Sequence, residues 1–314
     1  MPIIRRPGLR RPATGCRGIA SLARLACGAL ALAALALVAA PGAQAQEIEP
    51  NEFVPAPAGT NLALGYYVYG HETEFNTFGR TFKKNTGLEV NLGTARYVHY
   101  VEVGGHPAGF QLIQIFGSES GGQVAGQSLG SAFGVQNTAL SAFIWPYANQ
   151  AKKTYVVLTG FLYPPDGTYD KHAALNIGDN RWRGDVQIGL DQGIGAHFSY
   201  DLSFDTQFYG DNNNAFPGNY RLSQDPTYRA QVWANWNWNK AFQTSIGYEG
   251  FFGGREETNG FFNGNKTQEQ RIRAAASLFL SPTLQTLLEI NHDVSVSGGF
   301  KQAFGATLRV LYIF

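Results

Sequence analysis

The chain has little of what secreted proteins commonly use for stability and chemistry. Its two cysteines, Cys16 and Cys27, both lie within the first 45 residues, and Met1 is its single methionine. The remainder therefore has no disulfides, no thiol nucleophile and no cysteine-ligated metal. After residue 45 no stretch approaches about 18 uninterrupted apolar residues, so a transmembrane helix is excluded there. What is abundant instead is glycine, with 38 residues, and aromatic side chains at 13%, a combination typical of β-structure with many turns.

The first 45 residues have the pattern of a secretory signal peptide. Six arginines between Arg5 and Arg24 precede a short apolar core at residues 25–40, and Ala43-Gln44-Ala45 forms a small-x-small cleavage site. The core is shorter than the roughly 20 residues of a membrane anchor. Cys27 lies within the core rather than after it, which argues against a lipoprotein signal. We expect cleavage after Ala45.

Cleavage changes the charge of the chain. Removing the six signal-peptide arginines from the 24 Lys and Arg leaves 18 against 23 Asp and Glu, a net charge of −5. A mildly acidic chain gives no indication of a nucleic-acid partner.

One stretch, residues 196–209, shows the design that the rest of the chain repeats. Phe198, Tyr200, Leu202 and Phe204 fall on one face of a strand, while Asp201 and its neighbours at alternate positions fall on the other. Strands of soluble sheets usually have about 5–6 residues, whereas a tilted strand that crosses a bilayer needs about 9–11. The stretch is therefore long enough to span a membrane.

The same pattern predicts twelve strands, which lie near 61–69, 87–103, 110–116, 138–145, 154–163, 181–191, 196–209, 228–238, 242–248, 272–280, 284–294 and from about 300 to 314. The connections alternate between long and short along most of the chain, as in outer-membrane barrels with short periplasmic turns and long outer loops. We predict an all-β fold, a closed antiparallel transmembrane β-barrel over residues 61–314. Residues 46–60, with three prolines, are predicted to be an irregular periplasmic segment.

The strands between residues 95 and 163 are less clear. The apolar alternation from Leu88 changes phase near Ala95, because Arg96 falls on the apolar face, and a β-bulge would explain the change. The strands at 138–145 and 154–163 are apolar on both faces, so their orientation is left open.

Lipid requires the apolar face of each strand, so the polar face is expected to line the lumen. The predicted lumen-facing residues are five basic and seven acidic side chains: Arg183, Asp185, Asp191, Asp201, Asp205, Arg229, Glu249, Arg271, Arg273, Glu289, Asp293 and Arg309. We expect most of them to form pairs that stiffen the barrel. A barrel of twelve strands lies between the filled interior of about eight strands and the aqueous channel of about 16–18, so a narrow or occluded passage is expected.

Four stretches, NLALGYYVYG, RYVHYVEVGG, PPDGTYDKHAALNIGDNRW and LSQDPTYRAQVW, resemble in this order the outer-membrane family named for the meta-pathway of phenol degradation. The resemblance extends from about Pro55 to Phe314, and its most specific part runs from Pro165 to Trp182. It implies a transporter of aromatic or other hydrophobic compounds in the outer membrane of a Gram-negative bacterium. The family has no agreed catalytic or binding residues to transfer. The terminal Phe314 is similar to the signal by which outer-membrane barrels engage the barrel-assembly machinery.

Two residue patterns resemble a catalytic or a metal-binding site, but each has a simpler explanation. His197 and Ser199 have the His-x-Ser spacing of outer-membrane phospholipases, but the strand places both on the predicted lumen side. Asp166, Asp170 and Asp179 could bind Ca²⁺, although solvated turn carboxylates explain them as well. We predict no enzyme activity, cofactor or metal. The hypotheses left are a channel for small hydrophobic or aromatic solutes, a structural or adhesive barrel with a blocked lumen, and, least favoured, a lipid-modifying enzyme.

Overall fold

The computed structural model describes residues 47–314, so the predicted signal peptide lies outside the described residues. Eighteen strands form in this part of the chain. They are β1 (Asn61–Thr77), β2 (Arg80–Phe82), β3 (Gly87–Val103), β4 (His106–Val124), β5 (Gln127–Val135), β6 (Ala139–Asn149), β7 (Thr154–Tyr163), β8 (Arg183–Ile194), β9 (Phe198–Tyr209), β10 (Asn212–Ala215), β11 (Tyr220–Gln224), β12 (Thr227–Asn237), β13 (Phe242–Gly253), β14 (Glu256–Thr258), β15 (Phe261–Phe262), β16 (Glu269–Ser281), β17 (Leu284–Val296) and β18 (Gly299–Ile313).

Twelve of these strands form a closed antiparallel barrel, which confirms the predicted fold class and strand number. Around the barrel the order is β1, β3, β4, β6, β7, β8, β9, β12, β13, β16, β17 and β18. β18 pairs with β1 from Leu62↔Ile313 to Asn76↔Gly299, so the closing seam runs almost the full length of both strands. Closure leaves no strand edge unpaired, which a lipid environment requires.

The two ends of the barrel differ in their connections. The turns β3–β4, β6–β7, β8–β9, β12–β13 and β16–β17 are short and lie at the same end as Asn61 and Phe314. The longer connections lie at the other end, apart from the short β17–β18 turn. This arrangement assigns the short-turn end to the periplasm. Within residues 47–314, no helix has the length and hydrophobicity to cross a membrane.

The side chains of β9 alternate as the sequence predicts. Phe204 is 48% exposed on the outer surface, whereas its neighbour Asp205 is 2% exposed. The strand begins at Phe198, two residues later than predicted, because residues 195–197 form a turn.

The first strands of the barrel have the opposite polarity. Leu88, Val90 and Leu92 are 2–3% exposed and point inward, while Glu89 and Asn91 point outward. The β3–β4 register is continuous from Glu89 to Val103, so the predicted bulge near Ala95 is wrong. The alternation does not change phase. Arg96 and these apolar residues share the inward face of β3, and the lumen itself is largely apolar on this side.

The outer end contains more strand than predicted. Residues 118–135, predicted to be a loop, continue β4 to Val124 and return as β5, with Val124 opposite Gln127 and Phe116 opposite Val135. β1 likewise continues to Thr77, beyond its predicted end at residue 69. Parts of two outer loops form a second sheet in the order β10, β11, β14, β15.

The loop at residues 164–182, which carries the most specific part of the family resemblance, covers the outer mouth. Its Leu175 and Ile177 are 2% and 3% exposed, and Leu175 joins a buried cluster with Leu88, Ile115 and other inward residues. Gly167 and Gly178 pack backbone against backbone. They approach so closely that a Cβ on Gly167 would lie 2.8 Å from the Gly178 Cα.

Candidate functional site: a lumen filled by the N-terminal segment

The N-terminal segment lies inside the barrel. Ile48, Glu49 and Phe53 are 2%, 7% and 4% exposed and contact inward residues of several strands. The segment has no strand or helix, and residues 47–53 lie among the inward side chains of the barrel rather than at the periplasmic position expected from the sequence. Nothing in its local sequence marks a lumenal position, because it has no alternation to show a buried face. We refer to residues 47–53 as the plug.

Three glutamates of the plug form ion pairs with arginines of the wall. Glu47 lies 3.1 Å from Arg271 and 3.6 Å from Arg273. Glu49 pairs with Arg309, and Glu52 lies 2.5 Å from Arg96. These contacts join the plug to β3, an early strand of the sequence, and to β16 and β18, two of the last strands.

Two tryptophans fix the backbone of the plug. The Nε1 of Trp233 donates to the Ile48 carbonyl at 2.9 Å, and the Nε1 of Trp145 donates to the Phe53 carbonyl at 2.8 Å. The Ile48 and Asn51 amides donate to Gln231 at 3.1 Å and to Asp201 at 2.9 Å. The plug is therefore held by specific polar contacts as well as by burial, since its backbone groups find partners that water would otherwise supply.

All twelve charged residues singled out in the sequence are between 0% and 6% exposed. They lie on β8, β9, β12, β13 and β16–β18 and form one side of the lumen, which we call the charged wall. Most ion pairs here join neighbouring strands. Arg229 lies 3.0 Å from Asp205 and 3.5 Å from Glu249. Arg271 lies 2.7 Å from Asp293, Arg273 lies 2.8 Å from Glu289, and Arg183 pairs with Asp179 of the preceding loop at 2.8 Å.

Three aspartates of the charged wall form no ion pair among the described residues. Asp201 accepts hydrogen bonds from the Asn51 amide and from Asn235, and it lies directly opposite Asp191 in the β8–β9 register. Both carboxylate oxygens of Asp185 are buried without a hydrogen-bond partner. These three are therefore outside the pairing that we expect for most of the twelve residues.

The opposite side of the lumen is apolar. The inward side chains of β1, β3, β4, β6 and β7 include Val68, Val98, Ile113, Val157 and Phe161, all at most 8% exposed. We call this side the apolar wall. On β6 and β7 the inward residues have odd numbers, from Ala139 to Trp145 and from Tyr155 to Tyr163. This settles the orientation that the sequence left open.

Three cavities lie along the lumen. A cavity of about 310 Å³ adjoins the plug at the periplasmic end, one of about 120 Å³ lies below the outer loops, and one of about 50 Å³ lies between them. An apolar cavity of about 150 Å³ holds one benzene molecule. The middle cavity is too small for an aromatic ring, and Glu47 and Glu49 of the plug line both it and the cavity of about 310 Å³.

The model of the family described as the MetA-pathway of phenol degradation matches residues 65–310. The chain belongs to this family. No protein of curated function matches the sequence. Among solved structures, the COG4313 outer membrane channel from Pseudomonas putida F1 is similar, with 25% identity and a TM-score of 0.81 over 85% of this chain and 100% of that chain. The toluene transporter TodX of P. putida matches with 10% identity and a TM-score of 0.45, over 82% of this chain and 90% of that one.

Together, the closed barrel and the family membership place this member of the phenol-degradation family in the outer membrane of a Gram-negative bacterium. The similar structure with a TM-score of 0.81 is that of an outer membrane channel.

The residues considered for catalysis and metal binding lie apart in this family member. His197 is exposed in the β8–β9 turn, where its Nδ1 lies 2.7 Å from the Asn237 carbonyl oxygen, so its predicted lumen position is wrong. Ser199 points into the lumen and donates to Asn51 at 2.8 Å. The two side chains therefore do not form a nucleophile–base pair.

The three loop aspartates also have separate partners. Asp166 accepts from Thr138, Asp170 from the His172 amide, and Asp179 pairs with Arg183. Within residues 47–314, no group of three or more potential ligand side chains converges on a metal position.

Sequence reasoning missed Arg96, Trp145 and Trp233, which hold the plug. Arg96 has an identifiable signal, since it is a charged residue within an apolar face, but this was interpreted as a change of strand phase. The tryptophans carry no such signal, because aromatic residues are equally common on the outer surface of these barrels.

Proposed function

We propose that this protein is an outer-membrane channel for small aromatic or other hydrophobic solutes, and that the plug opens and closes its lumen. The observation that carries the proposal is the lumen itself. One wall is largely apolar, and a cavity of about 310 Å³, large enough for a small aromatic solute, lies at its periplasmic end. Family membership and similarity to an outer membrane channel support the same function.

Passage requires the plug to move. The cavity of about 50 Å³ is bounded by Glu47 and Glu49 on one side and by wall residues such as Val68, Ile113 and Arg273 on the other. A ring cannot pass there while the plug is in place. The plug is a short irregular segment joined to β1, so it can leave the lumen without breaking any strand pairing of the barrel.

A barrel with a permanently blocked lumen is the second candidate, and the buried plug is the observation that favours it. Solute uptake distinguishes the channel from the blocked barrel when cells that lack the gene are compared with the same cells carrying the gene on a plasmid. The labelled solutes would be benzyl alcohol, benzoate and a pentose of similar size. The channel predicts that the protein restores entry of the aromatic solutes and leaves pentose entry unchanged.

Two results would contradict the channel for aromatic solutes. Equal restoration of pentose entry would indicate an unselective pore. Failure of both the wild type and a variant with Glu47 and Glu52 changed to Gln to restore entry would indicate a blocked barrel. The matched control is Glu257→Gln in an outer loop, where the ion pair with Arg255 is largely solvated.

The remaining features of the chain are part of the same proposal. We infer that residues 1–45 are removed on export and that the last strand is recognised by the barrel-assembly machinery. The C-terminal Phe314 is 58% exposed, stacks on Tyr312 and exchanges backbone hydrogen bonds with Asn61 at 2.9 and 3.0 Å.

A further inference from the structure

Within the part of the chain that the structure describes, two arginines of the lumen have acidic partners only in the plug. Arg229, Arg271 and Arg273 each pair with a carboxylate on a neighbouring strand. Among the described residues, Arg96 has Glu52 as its acidic partner and Arg309 has Glu49, both from the plug. Their wall partners are the neutral side chains Gln111 and Gln285. The barrel wall at this level is therefore cationic, and the balancing negative charge comes from a segment outside the wall.

The two arginines lie close together in the barrel. Arg96 on β3 is opposite Leu64 on β1, and Arg309 on β18 is opposite Tyr66, also on β1. Their Cα atoms are therefore two strand spacings and two residues of strand apart, or roughly 12 Å, and both side chains point inward. Both line the cavity of about 310 Å³ beside the plug.

The same cavity contains two buried donors without a partner. These are the Nε of Arg309 and the Nε2 of Gln243. An unpaired buried donor is costly unless an acceptor reaches it. Together with the cationic wall, the free donors indicate that the cavity is suited to an anionic acceptor.

One part of the cavity lining is suited to a ring. Leu62, Leu64 and Val98 form an apolar surface directly beside the two arginines, and Tyr100 and Phe143 continue it across β3 and β6. A volume of about 310 Å³ is twice what benzene requires.

We propose that this cavity is a binding site for a small aromatic carboxylate. The carboxylate takes the place of Glu52 on Arg96 and accepts from the free Nε–H of Arg309, while the ring lies on Leu64, Val98 and Tyr100. The proposal rests on the proposed channel function and names its preferred solute class. It also gives Glu52 a definite role. Glu52 pairs with Arg96 when no solute is bound, so solute binding releases one contact of the plug.

Calorimetric titration of the purified full-length protein in detergent tests the site with three probes. Benzoate has both the ring and the charge, benzyl alcohol has the ring alone, and acetate has the charge alone. Benzyl alcohol lacks the charge that hydrogen-bonds to the arginines, and acetate lacks the ring that lies on the apolar surface, so benzoate should bind at least about tenfold more tightly than either.

Two substitutions should change the benzoate affinity in opposite directions. Arg96→Gln removes the cation and should weaken binding about tenfold or more. Glu52→Gln removes the competing carboxylate and should strengthen binding. The matched controls, Arg255→Gln and Glu257→Gln, remove the partners of an outer-loop ion pair and should leave the affinity unchanged.

Equal affinities for benzoate and benzyl alcohol would overturn the proposal, and so would weaker benzoate binding by Glu52→Gln. The cellular uptake of benzyl alcohol reports on the channel separately. If that uptake depends on the protein but benzoate does not bind, the site is refuted and the channel stands. If benzoate binds as described but no aromatic solute enters through the protein, the site stands and the channel is refuted.

Discussion

Replacement of Phe204 by arginine tests the assignment of the barrel surface and its depth in the membrane. Phe204 is 48% exposed on the outer face of β9 and lies six residues after the strand begins at Phe198. Six residues at about 3.3 Å each, tilted by about 40°, place it roughly 15 Å from the turn, near the middle of an apolar band about 25 Å tall. An arginine there should cost about 2–4 kcal/mol of folding free energy.

Ile194 provides the matched control for depth. It is 53% exposed and pairs with Phe198 at the turn end of the barrel. Ile194→Arg should therefore cost only about 0–1 kcal/mol, as expected near the interface. The measurement is equilibrium unfolding by guanidinium of each variant in lipid vesicles. Equal small costs for both substitutions would refute the assignment of Phe204 to the membrane interior.

Three further predictions concern the lumen. Asp205→Ala removes the 3.0 Å partner of the Arg229 guanidinium, which is 2% exposed, and leaves Glu249 at 3.5 Å. Since one hydrogen bond to a charged group is lost, we expect a loss of about 1.5–3 kcal/mol in the same unfolding assay, and unchanged stability would contradict the buried pair. Gly189→Leu should displace the plug, because even a Cβ at Gly189 would lie 2.5 Å from the Phe53 ring; the open probability in planar bilayers should rise, and an unaltered closed state would count against it. Burial raises the pKa of Glu49 above 4.5, an effect that the Arg309 guanidinium offsets only in part.

The sign of the pH effect follows from that shift. The plug binds a proton at Glu49 more tightly when docked than when free, so docking is strongest at low pH and weakens as pH rises through the raised pKa. Open probability should therefore increase with pH, and Glu49→Gln should remove this part of the dependence. A pH response that is identical in the wild type and in Glu49→Gln would show that another group controls it.

The sequence predicts a charged inner face on the later strands, because charged side chains are stable in an aqueous lumen and costly in lipid. Along β8 to β18, carboxylates and guanidinium groups cannot face lipid, so alternation alone indicates which side chains point inward. The twelve residues named from the sequence are all buried for this reason. The partners of each charge were not predictable, since three aspartates among them have no cation while Arg96 and Arg309 depend on a remote segment.

The sequence by itself determined the number of strands, the alternation of short and long connections and the outward face of the later strands. These features are local, because a period of two and a turn residue can be identified within ten residues of chain. Only the tertiary structure decided that the early strands turn apolar residues inward and that residues 47–53 fill the lumen. Periodicity separates two faces but cannot say which one is inside when the interior is itself apolar, and the plug acquires its position only from strands that are up to 260 residues away.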